Sequence, residues 1–174
     1  MKWKQTALGV VIGLASAAGT AHAAEIKIGA AEALTGNAAQ YGASIRRGFE
    51  LALGEINGND GVNGQKIVLV IEDEQGRKEE AINVFKKLIF QDRVLMLFGP
   101  TLSNSAQASD PVAQSAKVVV FGTSNTADGI TSIGNYVFRN SVTEADVLPV
   151  ALKVAAHKTG LKKVAVLYGN DDIF

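Results

Sequence analysis

The chain has 174 residues, 17 Lys and Arg balance 17 Asp and Glu, and 47% of residues are hydrophobic, enough to build a core. That charge balance gives no electrostatic reason to expect nucleic acid or an anionic membrane surface as a partner. Cysteine is absent, which excludes disulfides, a thiol nucleophile and a thiolate metal site.

Lys2 and Lys4 open a short basic segment, an apolar and small-residue run continues from Thr6 to about Thr20, and Ala21-His22-Ala23 has the small-x-small pattern of a signal peptidase site. This is the three-part build of a secretory signal, and its apolar core is too short to span a bilayer. Residues 1–23 are therefore expected to be removed on export. No later stretch approaches spanning length, so no membrane span is expected after cleavage.

The remainder reads as repeated strand–helix units. Ile26 to Ala31 is a first strand, ended by a loop at Leu34-Thr35-Gly36-Asn37. From about Ala38 to Ile56 the period changes: Ile45, Phe49, Ala52, Leu53 and Ile56 form one stripe of an amphipathic helix. Arg46 and Glu50 can pair on its polar side, and Asn57-Gly58 is expected to stop it. Ile67 to Ile71 is a continuous β-branched run, the pattern of a strand covered on both faces in a parallel sheet. A second helix is expected from about Lys78 to Phe90, with Ala81, Phe85, Leu88 and Ile89 inward. Val94 to Phe98 is strand three, Ser103 to about Ala116 a helix bent at Pro111, and Val118 to Phe121 strand four. Tyr136 to Arg139 is a short fifth strand, Glu144 to about His157 a fourth helix, and Val164 to Tyr168 a sixth strand. Regular alternation with right-handed crossovers makes a doubly wound parallel α/β sheet, with helices on both faces. Asn170 to Phe174 follow a strand that would lack its covering helix, so the chain is expected to be a fragment of a longer protein.

In open α/β sheets ligands bind beyond the carboxyl ends of the strands. Three loops there carry small and hydroxylic residues: Leu34 to Tyr41, Gly99 to Ser105, and Gly122 to Thr126. Ser103 falls at the expected N-cap of the third helix, where its hydroxyl and the free first-turn amides could cradle a carboxylate or simply cap the helix. Tyr41 is either a hydrophobic staple or an aromatic wall for a ligand. Glu72-Asp73-Glu74 and Asp171-Asp172 are paired carboxylates in polar loops, read as solvated charge runs or as acid–base or cation-binding groups.

Taken together, Ala33-Leu34-Thr35-Gly36 with Tyr41-Gly42, Arg47 to Ala52, Glu55-Ile56-Asn57, Gly61 to Gly64, Glu72-Asp73-Glu74, Phe98-Gly99-Pro100, Ser124-Asn125-Thr126 and Phe138-Arg139 resemble the opening of the Leu/Ile/Val-binding family of periplasmic binding proteins. The resemblance runs from about Ile26 to Phe174. It implies two α/β lobes closing on a ligand, with residues 24–140 forming the first ligand-binding lobe and 141–174 the start of the second. It implies that Ser103 holds the ligand carboxylate and that the Thr126 amide also reaches it. Ser124, through its carbonyl, and Thr126, through its hydroxyl, receive the ammonium. Tyr41 borders the side-chain pocket, and Phe174 matches an aromatic of the second lobe, where tyrosine is more usual. The acidic ammonium anchor of the family would lie beyond Phe174, and its frequent first-lobe disulfide has no counterpart.

The function so implied is the periplasmic solute-binding component of an ABC importer, docking on inner-membrane permease subunits. Its ligand would be a small carboxylate such as a branched-chain or other amino acid. Relatives that take amides, urea or aromatic acids, and same-fold ligand sensors, remain alternatives. No catalytic residue, metal ligand set or cofactor is expected. A P-loop, a G-x-S-x-G elbow and a G-x-G-x-x-G after strand one are all missing, and the single histidine of the mature chain, His157, reads as a surface residue.

Overall fold

The computed structural model describes residues 25–167. The expected signal segment 1–23, the Asp171-Asp172 pair and Phe174 lie outside the described residues.

Five parallel strands form one sheet in the order β2-β1-β3-β4-β5. They are β1 (Ile26–Glu32), β2 (Ile67–Asp73), β3 (Met96–Phe98), β4 (Val119–Gly122) and β5 (Val137–Arg139). The helices are α1 (Ala39–Gly58), α2 (Lys78–Lys86), continued by a π-helical turn at Lys87–Gln91, then α3 (Ser103–Ala116) and α4 (Glu144–Thr159), with a 3-10 turn at Ile130–Ile133 between β4 and β5. The β1–β2 ladder is in register over its full length, from Ile26 opposite Ile67 to Glu32 opposite Asp73.

The chain winds outward from β1 to β2, then reverses across β1 to β3 and beyond. Right-handed crossovers put α1 on one face of the sheet and α2 and α3 on the other. Side chains along each strand alternate accordingly. Leu97, Val120 and Val137 point into the core made with Phe85, Leu88, Ile89, Ala106 and Ala113 of α2, its π turn and α3. Their neighbours Phe98, Phe121 and Phe138 point to the α1 face and form a ladder with Phe49, with centroid spacings of 5.1, 6.3 and 5.4 Å. Over β4 and β5 this face has no helix above it among the described residues. Phe138 is 42% exposed, and a groove of about 440 Å3 runs between α1 and the strand ends, lined by Ile45, Phe49, Phe98 and Phe121. The expectation of helices on both faces is therefore met completely on one face and in part on the other.

Other boundaries have local causes. α1 ends at Gly58, as expected, with Asn59 at its cap, and Asn57 also ties the helix end to β2: its amide donates to Ile67 O and its Oδ1 accepts from Ile67 N, both at 2.8 Å. Arg46 and Glu50 pair at 2.8 Å on the exposed side, where such a contact contributes a few tenths of a kcal/mol, roughly 0.3–0.5. α4 is capped by Thr143, whose hydroxyl accepts from Asp146 N at 3.0 Å. It buries none of its residues. The expected sixth strand is corrected: Val164 to Leu167 are not in a sheet. A strand needs a neighbouring ladder to satisfy its backbone, and none lies beside this run among the described residues.

Candidate functional site at the carboxyl rim of the sheet

The ends of β1, β3 and β4 converge at the point where the winding direction reverses, which is where open α/β sheets leave a crevice for ligands. Backbone geometry brings the three loops close. A Cβ at Gly42 would enter the Ala33 carbonyl, and one at Gly99, whose φ is +101°, would enter that of Ala31. Glycine is required at both positions by close approach, and at Gly99 by the left-handed backbone as well.

Ser103 and Thr126 meet directly. The Ser103 hydroxyl accepts from the backbone N–H of Thr126 and of Ala127, each at 3.1 Å. The Ser124 hydroxyl donates to Thr101 O at 2.8 Å, and the Asn125 amide to Pro100 O at 3.2 Å. The loop after β4 is thus stitched along the loop after β3. The Thr126 hydroxyl donates to Glu144 at 3.3 Å, and Thr126 O accepts from Glu144 N at 3.2 Å, which ties the start of α4 to the same loop. Tyr41, 58% exposed, shares a cleft of about 390 Å3 with Gln40, Ser44, Ile45 and Ser124. Tyr41, Ser103, Ser124 and Thr126 therefore belong to one rim.

One expectation is corrected here. Ser103 is not the N-cap: α3 begins at Ser103, Leu102 occupies the cap, and no side chain caps the helix. The Ser103 side chain is almost wholly buried, because it turns across to the β4 loop rather than back along its own helix. In the first turn of α3 the Ser105 amide donates to Asn104 Oδ1 at 2.6 Å, while the amides of Ser103 and Asn104 have no helical acceptor, so the helix end remains an anion-binding feature without the Ser103 hydroxyl as its cap.

The acidic triplet at the end of β2 is also corrected from a solvated charge run. Its three side chains have three different sets of partners, with alternation along the strand sending Asp73 to the face opposite Glu72. Glu72 pairs with Lys87 at 2.6 Å. Asp73 organises the β1–α1 loop: one oxygen accepts from the amides of Leu34, Thr35 and Gln75 at 2.9–3.2 Å, and the other from the Thr35 hydroxyl at 2.5 Å. Burial opposes ionisation of Asp73, but these donors outweigh it and hold the carboxyl below the usual aspartate range. Glu74 is fully buried and accepts from Ser105 Oγ at 2.9 Å. Burial pushes it up, offset in part by that hydroxyl and by the Thr101 and Gly76 amides.

A residue missed by the sequence reasoning lies beside it. Glu32, the last residue of β1, is also fully buried. Its Oε2 accepts from the hydroxyls of Thr101 at 2.7 Å and Thr123 at 3.0 Å. Burial raises it to about 7, against the lowering effect of the two threonines and with a further push from Glu74. An acid at a strand end looks solvent-facing in sequence, and its partners are 69 and 91 residues away. No local signal could have marked it.

Among the described residues no group of three or more His, Cys, Asp or Glu is placed to hold a metal ion, and no helix is long and apolar enough to cross a membrane. The buried acids Glu32 and Glu74 have hydroxyl and amide neighbours. The arrangement can hold a polar small molecule by backbone amides and hydroxyls.

Comparison with known proteins agrees with this fold. The family described as periplasmic binding protein matches residues 25–174. The Leu/Ile/Val-binding protein of Citrobacter freundii is 30% identical over 149 residues, which are 85% of this chain and 40% of that protein. The branched-chain amino acid transporter substrate binding protein of Streptococcus pneumoniae, solved with isoleucine, is 32% identical with a TM-score of 0.67, covering 69% of this chain and 34% of that one. A solute binding protein of an ABC transporter from Rhodopseudomonas palustris, solved with 3,4-dihydroxybenzoic acid, is 26% identical with a TM-score of 0.72, covering 78% and 37%. The chain belongs to the periplasmic binding protein family. It spans about 40% of the length of the curated relative.

Proposed function

We propose that this chain is the ligand-gripping first lobe, and the start of the second, of an exported, non-enzymatic receptor that delivers a small carboxylate ligand to an ABC permease. Residues 24–140 form the first lobe and 141–174 open the second. The observation that carries the reading is the shared rim. Ser103 and Thr126 are hydrogen-bonded at 3.1 Å beside the amino end of α3, and Tyr41 and Ser124 line one cleft at the same edge. In this reading Ser103, the α3 amides and the Thr126 amide receive the carboxylate, Ser124 and Thr126 the ammonium, and Tyr41 the side chain. Phe174 contributes from the second lobe. The secretory pattern of residues 1–23 supports periplasmic delivery.

A branched-chain or other amino acid is the first ligand class, supported by relatives whose names state Leu/Ile/Val binding. Aromatic acids are the second, because a neighbour with a comparable TM-score holds 3,4-dihydroxybenzoic acid. A thermal-shift screen of the full-length protein against amino acids, amides and aromatic acids tests the assignment, since a ligand that binds the native state alone raises the melting temperature. A carboxylate-bearing ligand is expected to raise it. Chemical turnover of that ligand would overturn the receptor reading.

A further inference from the structure

Between the two ligand loops sits a carboxyl group that the proposed binding chemistry does not use. The Ala33 amide donates to the Thr101 hydroxyl at 2.9 Å, so the Thr101 proton is directed to Glu32 Oε2 at 2.7 Å. Thr123 donates to the same oxygen at 3.0 Å. One buried atom of β1 thereby joins the loop after β3 to the loop after β4. Ser103 stands two residues beyond the first of these threonines, and Ser124 and Thr126 one and three beyond the second. The other oxygen, Oε1, is buried with no hydrogen-bond partner among the described residues.

We propose that Glu32 is a positioning residue for ligand binding: its carboxyl clamps Thr101 and Thr123 and so fixes the two ligand loops relative to each other. The inference rests on the rim being the binding site. Ionised, the carboxylate draws in both hydroxyls through charge-assisted bonds, which are shorter and stronger than neutral ones. Protonated on Oε1, it keeps the same two donors on a neutral oxygen and holds them less tightly. The longer Thr123 bond loosens first. The loops therefore take two slightly different spacings, and proton occupancy selects between them. From the loop after β2 the charged neighbour acting on Glu32 is Glu74, which in turn feels Asp73. From the loops after β3 and β4 the facing groups are the neutral hydroxyls of Thr101 and Thr123.

The test uses the full-length protein, wild type and the variants E32Q and T123V. Amide shifts of Thr101, Ser124 and Thr126 are followed without ligand by NMR from about pH 5 to about pH 9, a range that spans the titration of a buried carboxyl. Calorimetry with L-leucine and with 4-hydroxybenzoate follows at both ends of the range. The wild-type loop amides are expected to move with one midpoint near about 7, and E32Q to abolish that movement. T123V is expected to raise the midpoint, because it removes a donor that favours the charged form, while leaving Thr101 coupled. Affinity for whichever probe binds is expected to change several-fold across the same midpoint in wild type and to stay flat in E32Q. An inflection that survives in E32Q, or a T123V midpoint that does not move, would overturn the assignment. Failure of both probes to bind would count against the ligand classes proposed above, whereas the ligand-free titration decides Glu32 on its own.

Discussion

Asp110 lies in α3 immediately before Pro111, and its side chain is 1% exposed. Its Oδ1 has no hydrogen-bond partner among the described residues, and burial alone pushes the carboxyl from 3.8 up to about 8. The folded state therefore binds this proton more tightly than the unfolded chain does. By linkage, stability falls as pH rises from the unfolded value toward the folded one, and levels off above it. The shift covers about four pKa units at ~1.4 kcal/mol each, an upper bound near 6 kcal/mol. Local relaxation and water entry reduce such penalties, so a loss on the order of 3 kcal/mol between about pH 4 and about pH 8 is the expectation. Asp110→Asn removes that titration. Its amide donors remain unpaired in the core, a cost of roughly 1–3 kcal/mol that does not depend on pH. The stability difference between variant and wild type should therefore start near zero or negative at the acid end and rise with pH. Urea unfolding at one-unit pH steps measures it. Circular dichroism is the suitable probe, because Trp3 is the chain's one tryptophan and lies in the expected signal. A difference constant across the range would refute the reasoning, because a buried, unpaired acid must show this slope.

The remaining predictions concern the rim. Ser103→Ala strands the Thr126 and Ala127 amides, so in the full-length protein it should weaken binding of a carboxylate ligand by about 1–3 kcal/mol, read by calorimetry. Thr126→Ala should weaken it by a similar amount, about 1–3 kcal/mol, and unchanged affinity in both would refute the site. Asp73→Asn should destabilise by about 1–2 kcal/mol, because three amides and a hydroxyl converge on a charge it removes. The wild-type contribution is present above the ordinary aspartate value and lost as pH falls through the lower folded value. Unfolding curves that differ as much at about pH 2 as at neutral pH would contradict it.

Much of the fold was legible because its causes are local. The β-branched run at Ile67 to Ile71 and the helical spacing of Ile45, Phe49 and Leu53 each encode a strand or a helix face within a few residues. Ala81, Phe85, Leu88 and Ile89, read as one face, are the buried face of α2 and its π turn. What escaped depends on distant partners. The Asn57-Gly58 helix stop holds, but the two bonds from Asn57 to Ile67 have no sequence signal. Ser103 reads as a cap until the β4 loop supplies the amides its hydroxyl accepts. Glu74 reads as part of a solvated charge run and Glu32 draws no reading at all, since nothing nearby in sequence announces the hydroxyls that meet them. Val164 to Leu167 has a strand's composition, but composition alone cannot provide a neighbouring strand.

The most direct test of the account is a crystal structure of the full-length protein with the ligand found by thermal shift. The account predicts the ligand at the carboxyl ends of β1, β3 and β4, its carboxylate on the first-turn amides of α3 and the Thr126 backbone, with Tyr41 against its side chain. A ligand bound away from that edge, or one held there without contact to either loop, would contradict it.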